Sequence, residues 1–352
     1  KMEDNTKNST TNSTTNSTTN STTNSTTNST PNSTTNNTTN NTTDINKDWI
    51  PPLIGWLKKI ESLNYQWSLT GYDNAKLGSS GLFCKLATIF QNYYEFDKDK
   101  LYHTIQKFKT VQGIYQETPG RNNIIAECRQ AMAGLINLGY KIEPFDISKY
   151  YQKPLYFMNN RDWNTPYATG AQLSHYLFFC GLQNNKSEIN KVLLKLRQYQ
   201  RVDGWYNYRP RDSSQIINGI MKIMTGFDVI GLDIPVFFKR NILNYLFKVE
   251  SQTGGCNIYD YVYVLTKCME IDYKMDICKS KLMELYQRIL KHQQEDGGFS
   301  FDIAHSKQGY YGNRITNGTK QGDIHGTTVF CMALARIDKY LNLGLNLVLP
   351  IS

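Results

Sequence analysis

The feature that most constrains this chain is a recurring unit: a helix-like run, a glycine turn, then a second helix-like run. The turns read Val-Gln-Gly-Ile-Tyr from Val111, Arg-Val-Asp-Gly-Trp-Tyr from Arg201, Ser-Gln-Thr-Gly-Gly-Cys from Ser251 and Gln-Gln-Glu-Asp-Gly-Gly-Phe from Gln293. The last three are spaced by about 40 to 50 residues, the period of a repeat holding two helices. Between them, segments such as Asn190–Gln200, Ile216–Val229 and Ser280–Gln293 place apolar residues at three- and four-residue steps. Strand-like alternation bounded by hairpin turns is absent from the pattern.

The pairs can be laid out along the chain. The first helix of each precedes the turn: Lys98–Thr110, Ile147–Phe157, Glu188–Gln200, Pro235–Val249 and Met275–Gln293. The second follows it: Ile124–Leu138, Ala168–Cys180, Ser214–Phe227, Ile258–Met269 and Ile324–Leu341. An earlier pair near Leu53–Leu63 and Leu82–Tyr94 completes the series. Second helices are rich in Ala, Gly, Cys and Met, which suits helices enclosed on several sides. First helices carry more Lys, Glu and Gln, as an outer layer would. The expected fold is all-α, an (α/α)6 toroid of alternating inner and outer helices, with an open solenoid of helix pairs as the alternative.

One repeat carries a resemblance. Gln294–Phe299 followed by Asp323–Leu334 reads Q-x-x-G-G-F and then D-x-H-x-T-x-x-x-x-x-A-L, with weaker echoes at Val202–Trp205 and Gln252–Cys256. This unit resembles the repeats of terpenoid cyclases and protein prenyltransferase β-subunits, and the resemblance implies an α/α barrel whose glycine turns join outer to inner helices. It also implies a zinc site of the prenyltransferase type, an Asp-x-Cys pair with a later His. Here Asp260 matches the Asp and His325 falls near the His, but Val262 stands where the Cys is expected and Cys256 lies on the other side of Asp260. The ligand set is incomplete, so no cofactor or metal is expected, zinc being the one candidate. The Asp-x-Asp-Asp acid of the cyclases and the aspartate-rich diphosphate motifs are missing.

In such a toroid the inner-helix N-termini share one rim, made electropositive by their dipoles. Polar residues near those starts are the candidate site. They are Glu127, Arg129 and Gln130; Trp163, Gln172 and His175; Asn218 and Lys222, four apart on one face; Asp260 with Tyr261; and Asp323 with His325. Asp323 equally suits a helix N-cap, and a lone histidine equally suits a hydrogen-bonded core. Lys222, set among Ile220, Met221, Ile223 and Met224, demands a partner or an aqueous cavity, because a buried unpaired charge is costly. Histidine titrates near neutrality and a carboxylate can orient it. Asp323, His325, His175 and Asp260 are therefore read as the acid–base group, and Arg129 and Lys222 as the binders of an anionic moiety.

Composition sets the boundaries. From Asn8 to Thr43 the chain repeats Asn-Ser-Thr-Thr and Asn-Asn-Thr-Thr, too polar to bury a core, so residues 1–47 read as a disordered tail or linker and 48–352 as the folded domain. The repeat creates Asn-X-Ser/Thr sequons automatically. Net charge is +9, but the excess is scattered along helix faces, which excludes a dense nucleic-acid footprint. No stretch reaches the roughly 18 apolar residues of a membrane span. Seven cysteines, mostly inside apolar runs, read as reduced thiols and a cytoplasmic setting; a secretory route would require a signal upstream of Lys1, where a partner domain could also have stood. No P-loop, dinucleotide fingerprint, His-Glu-x-x-His or Gly-x-Ser-x-Gly occurs. The reading is an enzyme with a central cavity, acting by acid–base chemistry on an isoprenoid or anionic substrate. The alternatives are a carbohydrate-active barrel acting on an anionic saccharide and a non-catalytic binding toroid.

Overall fold

Where the sequence alternates apolar and polar residues at helical spacing, the chain is helical. The computed structural model describes residues 45–63, 76–117, 124–143, 165–201, 204–205, 212–249 and 253–351, all within the unit Ile45–Ser352. The expected tail up to residue 44, the expected helix Ile147–Phe157 and Trp163 lie outside the described residues. Eleven helices are found among those described: α1 Ile50–Ser62, α2 Leu77–Ile89, α3 Lys98–Gln106, α4 Ile124–Asn137, α5 Pro166–Leu182, α6 Lys186–Arg197, α7 Ser213–Val229, α8 Val236–Leu246, α9 Gly255–Met269, α10 Met275–Leu290 and α11 Ile324–Leu341. None is long and apolar enough to cross a membrane.

Two kinds of helix differ in burial as the composition predicts. All thirteen residues of α2 are buried, whereas α3 buries only Leu101 and Ile105 and α6 only Val192 and Leu196. In α10 the buried residues Cys278, Leu282, Leu285, Tyr286 and Ile289 form a single stripe at three- and four-residue steps. The buried helices contact one another in series: α2 with α4, α4 with α5, α5 with α7, α7 with α9, α9 with α11, and α11 with α2. The half-exposed helices lie against them, α3 on α2, α6 on α5, α8 on α9, and α10 on both α9 and α11. Small residues permit the closest of these approaches: a Cβ at Gly219 of α7 would stand 2.5 Å from Pro166 Cβ of α5.

Three turns that follow half-exposed helices share one device. Lys109 bridges Tyr115, Gln200 pairs with Trp205, and Gln293 bridges Phe299, each antiparallel and each ending on an aromatic residue. At the last turn Gly297 takes φ +95°, and a Cβ there would lie 2.2 Å from the Pro52 carbonyl oxygen at the start of α1. These pairings correct the expectation of no strands. Two short hairpins are present among the described residues, β1 (Gln200–Arg201) with β2 (Gly204–Trp205), and β3 (Gly309–Tyr310) with β4 (Asn313–Arg314).

Two further segments tie the unit together. Asn46 accepts from Tyr286 Oη at 2.6 Å and Lys47 donates to the Gly344 carbonyl at 2.9 Å, so the folded unit begins before the expected boundary at residue 48. After α11, residues 343–351 run back to the ends of α2 and α4: Val348 N donates to Ile89 O, and Ile351 N to Asn137 Oδ1. Asp338 fixes the start of this strap by accepting from Leu345 N and Leu347 N.

Candidate functional site

The buried helices surround a cavity of about 390 Å³. Its wall draws Lys85 from α2, Arg129 and Gln130 from α4, Tyr167 and His175 from α5, Lys222 from α7, Cys256, Tyr259 and Asp260 from α9, and His325 from α11. The segment between α10 and α11 adds Lys307, Gly309, Tyr310 and Tyr311. A more open groove of about 1050 Å³ lies beside Glu61, Asp97, Asp99 and Tyr140. There Tyr94 Oη and Asp97 N donate to Glu61, and Tyr140 Oη to Asp99.

Depth within the helices departs from the expected rim. Tyr167, Cys256 and His325 stand in first turns, but Lys85, His175 and Lys222 stand about two turns further along their helices. The site is a shaft as well as a mouth. Over the mouth the β3–β4 hairpin crosses from the α11 side toward α2, where Asn313 Nδ2 donates to Glu117 Oε2 at 3.0 Å. Its Tyr310 stacks on Tyr311 at 4.4 Å and lies 4.7 Å from the His325 ring.

Several expected residues take other places. Asp323 does not line the cavity. Its Oδ1 accepts from Gly326 N at 2.6 Å, and its Oδ2 from Phe301 N and Lys307 N, both at 2.9 Å, so it caps α11 and pins the crossing segment. Tyr261 turns outward to donate to the Leu246 carbonyl, because positions two apart on a helix face opposite ways; Tyr259 lines the cavity instead. Glu127 is buried and accepts from Glu117 N, and Gln172 lies off the wall. Asn218 supports the wall from behind: with its amide nitrogen facing acceptors, it donates to Asp260 Oδ2 at 3.1 Å and to the Ser214 carbonyl at 3.0 Å.

Electrostatics distinguish this cavity from a plain core. Among the described residues, Lys85, Arg129, Lys222 and Lys307 face one carboxylate, Asp260. Among the described residues Lys85, Lys222 and Lys307 have no carboxylate within ion-pair distance; Lys222 lies 5.5 Å over the Tyr167 ring and Lys307 4.2 Å over Phe301. Burial, with Arg129 and Lys222 nearby, brings Lys85 down to about 7. Burial and the lysines also drive His325 down to about 3, and burial with Arg129 and Lys222 drives His175 well below the ordinary histidine range. Asp260 moves the other way, pushed up to about 6 by burial, with Lys222 opposing. Both histidines are therefore neutral hydrogen-bonding groups at neutral pH. Lys85 and Asp260 are the wall groups poised nearest neutrality.

His325 is held between rings, stacked on Phe301 at 5.1 Å, with Nε2 3.7 Å from Cys256 Sγ and Nδ1 buried without a hydrogen-bond partner. Although Cys256, Asp260 and His325 all line the cavity, no group of three His, Cys, Asp or Glu among the described residues is arranged to hold a metal ion. All seven cysteines are free thiols.

Sequence reasoning missed Lys85 and Lys307. The first carried the signal that singled out Lys222, a lysine inside an apolar run, here Leu82-Phe83-Cys84-Lys85-Leu86-Ala87. The second sits in a polar segment with nothing local to mark it. No protein family, no curated protein and no solved structure matches this chain.

Proposed function

We propose that this chain is an enzyme built as an (α/α)6 toroid, with the central cavity as the active site for a small anionic substrate. The architecture is supported by the contact series of buried helices, which returns from α11 to α2, and by the half-exposed helices lying outside them. The substrate class rests on one observation, four basic side chains from four parts of the chain facing, among the described residues, a single carboxylate across about 390 Å³. Such a field is costly when the cavity is empty and is relieved by an anion. A carboxylate, a phosphorylated metabolite, an acidic sugar or the diphosphate of a short isoprenoid each carries the required charge. The acid–base role passes from the histidines to Asp260 and Lys85, whose proton affinities lie near neutral pH.

The test is calorimetric titration of the full chain with inorganic phosphate, diphosphate and glucuronate at low salt. Binding of at least one anion is expected, weakened about tenfold by Lys222→Gln through loss of one charge-assisted contact. Absence of heat and of any rise in melting temperature with all three anions would overturn the reading.

A further inference from the structure

Lys85 is 6 % exposed, lies on the cavity wall, and has one polar contact among the described residues, a long one of 3.5 Å to Gln130 Oε1. The other end of that amide is also unsatisfied: Gln130 Nε2 is buried and has no hydrogen-bond partner, although Gln130 itself is nine-tenths buried. Among the described residues, a primary amine with no counter-ion and a neighbouring amide N–H with no acceptor thus belong to two side chains of the same pocket wall. The amine calls for an electrophile and the amide for an oxygen. A carbonyl group supplies both.

We propose that Lys85 is a nucleophile that forms an imine with a carbonyl compound bearing an anionic group, Gln130 Nε2 donating to the carbonyl oxygen as it becomes a hydroxyl. The inference rests on the anionic-substrate reading, because Arg129, Lys222 and Lys307 hold the charged end of such a molecule. The Lys85 Nζ lone pair forms the new bond to carbon while the C=O π electrons move to oxygen. One amine hydrogen transfers to that oxygen, giving a carbinolamine. The second amine hydrogen and the hydroxyl then leave as water as the C=N bond forms, so no outside oxidant or reductant enters.

The amine must be unprotonated to react, and its surroundings favour that form. The charged and titratable groups around it are Arg129 from α4, Lys222 from α7 and His325 from α11, with Cys84 beside it on α2. Burial and the Arg129 and Lys222 charges bring Lys85 to about 7, so near-neutral pH leaves a large share as free amine.

Borohydride trapping tests this. The full chain is incubated with pyruvate or with dihydroxyacetone phosphate, reduced, digested and mapped by mass spectrometry from pH 6 to pH 10. An adduct confined to the peptide carrying Lys85, rising through about pH 7 and lost in Lys85→Arg, supports the inference. Labelling that is absent, or spread over surface lysines and rising only toward about pH 10, overturns it; the wild-type map decides this whether or not the variant folds. Diphosphate binding without an adduct overturns the nucleophile and leaves the anionic-substrate reading intact. An adduct at Lys85 that none of phosphate, diphosphate and glucuronate suppresses supports the nucleophile and overturns that reading.

Discussion

Arg129 Nη1 donates to His175 Nδ1 across 3.2 Å, and the same nitrogen reaches Ser174 Oγ at 2.7 Å. A guanidinium cannot accept, so Nδ1 is the acceptor and the imidazole proton resides on Nε2. Burial, then Arg129 and Lys222, keep the ring neutral well below the usual histidine pH. Long-range 1H–15N spectra of the full chain should show the Nε2–H tautomer at pH 7 and no titration of His175 in the ordinary histidine range. In Arg129→Met the ring should titrate at higher pH, short of full recovery because burial remains. A His175 that titrates normally in the wild type would contradict the arrangement.

Asp260 makes the stability of the chain depend on pH. Its proton affinity in the folded chain is raised to about 6 by burial, against 3.8 when exposed. Between these values the folded state binds more protons than the unfolded state, so this group's contribution lowers stability as pH rises from about 4 to about 6. Asp260→Asn removes that slope, and the variant should exceed the wild type by roughly 1–3 kcal/mol at pH 8, with a smaller gain at pH 4. Urea unfolding at the two pH values measures it. A variant equally stable or less stable at pH 8 would mean that contacts with Lys222 outweigh the burial of the charge.

Asp323 is expected to behave as architecture. Three backbone N–H groups lean on its carboxylate, from Gly326, Phe301 and Lys307. Asp323→Ala leaves them without their acceptor and should cost about 2–4 kcal/mol in urea unfolding, with Asp323→Asn losing less because one oxygen remains. If stability were unchanged while anion binding vanished, the residue would belong to the site and the capping argument would fail.

The helix pairs were legible because burial on one side imposes a period that needs no long-range information. Their ends were less so. The apolar patterns of Lys98–Thr110, Pro235–Val249 and Met275–Gln293 overrun helices that stop at Gln106, Leu246 and Leu290. Of these, Lys109 and Gln293 are drawn out of their helices by the bridges to Tyr115 and Phe299. Conversely α5 starts two residues early, since Pro166 is already set for the first helical turn. Within the site, Lys222 could be read from its apolar neighbours, and the same rule reaches Lys85. Tyr261 failed on helical phase, since Tyr259 is the tyrosine on the wall. Lys307 could not be found at all from local pattern, because it is carried to the cavity by a segment that Asp323 pins from sixteen residues away.

The glycine turn after α10 offers the sharpest test of the architecture. Gly297 adopts φ +95°, a region that side chains with a Cβ rarely enter, and an added Cβ would fall 2.2 Å from Pro52 O. The obstacle is backbone at the start of α1, so no side-chain rotation relieves it. Beside it, Gln293 Nε2 donates to the Trp49 and Gly297 carbonyls, so the turn and the first helix are fastened as one piece. Gly297→Ala combines backbone strain with a clash and should destabilise the chain by more than about 2 kcal/mol. Gly113→Ala has a positive φ too, but nothing lies within 4 Å of its added Cβ, so it isolates the strain alone and should cost about 1 kcal/mol. Urea unfolding of the two variants side by side separates the terms. Equal losses would mean that α1 does not pack against the Gly297 turn.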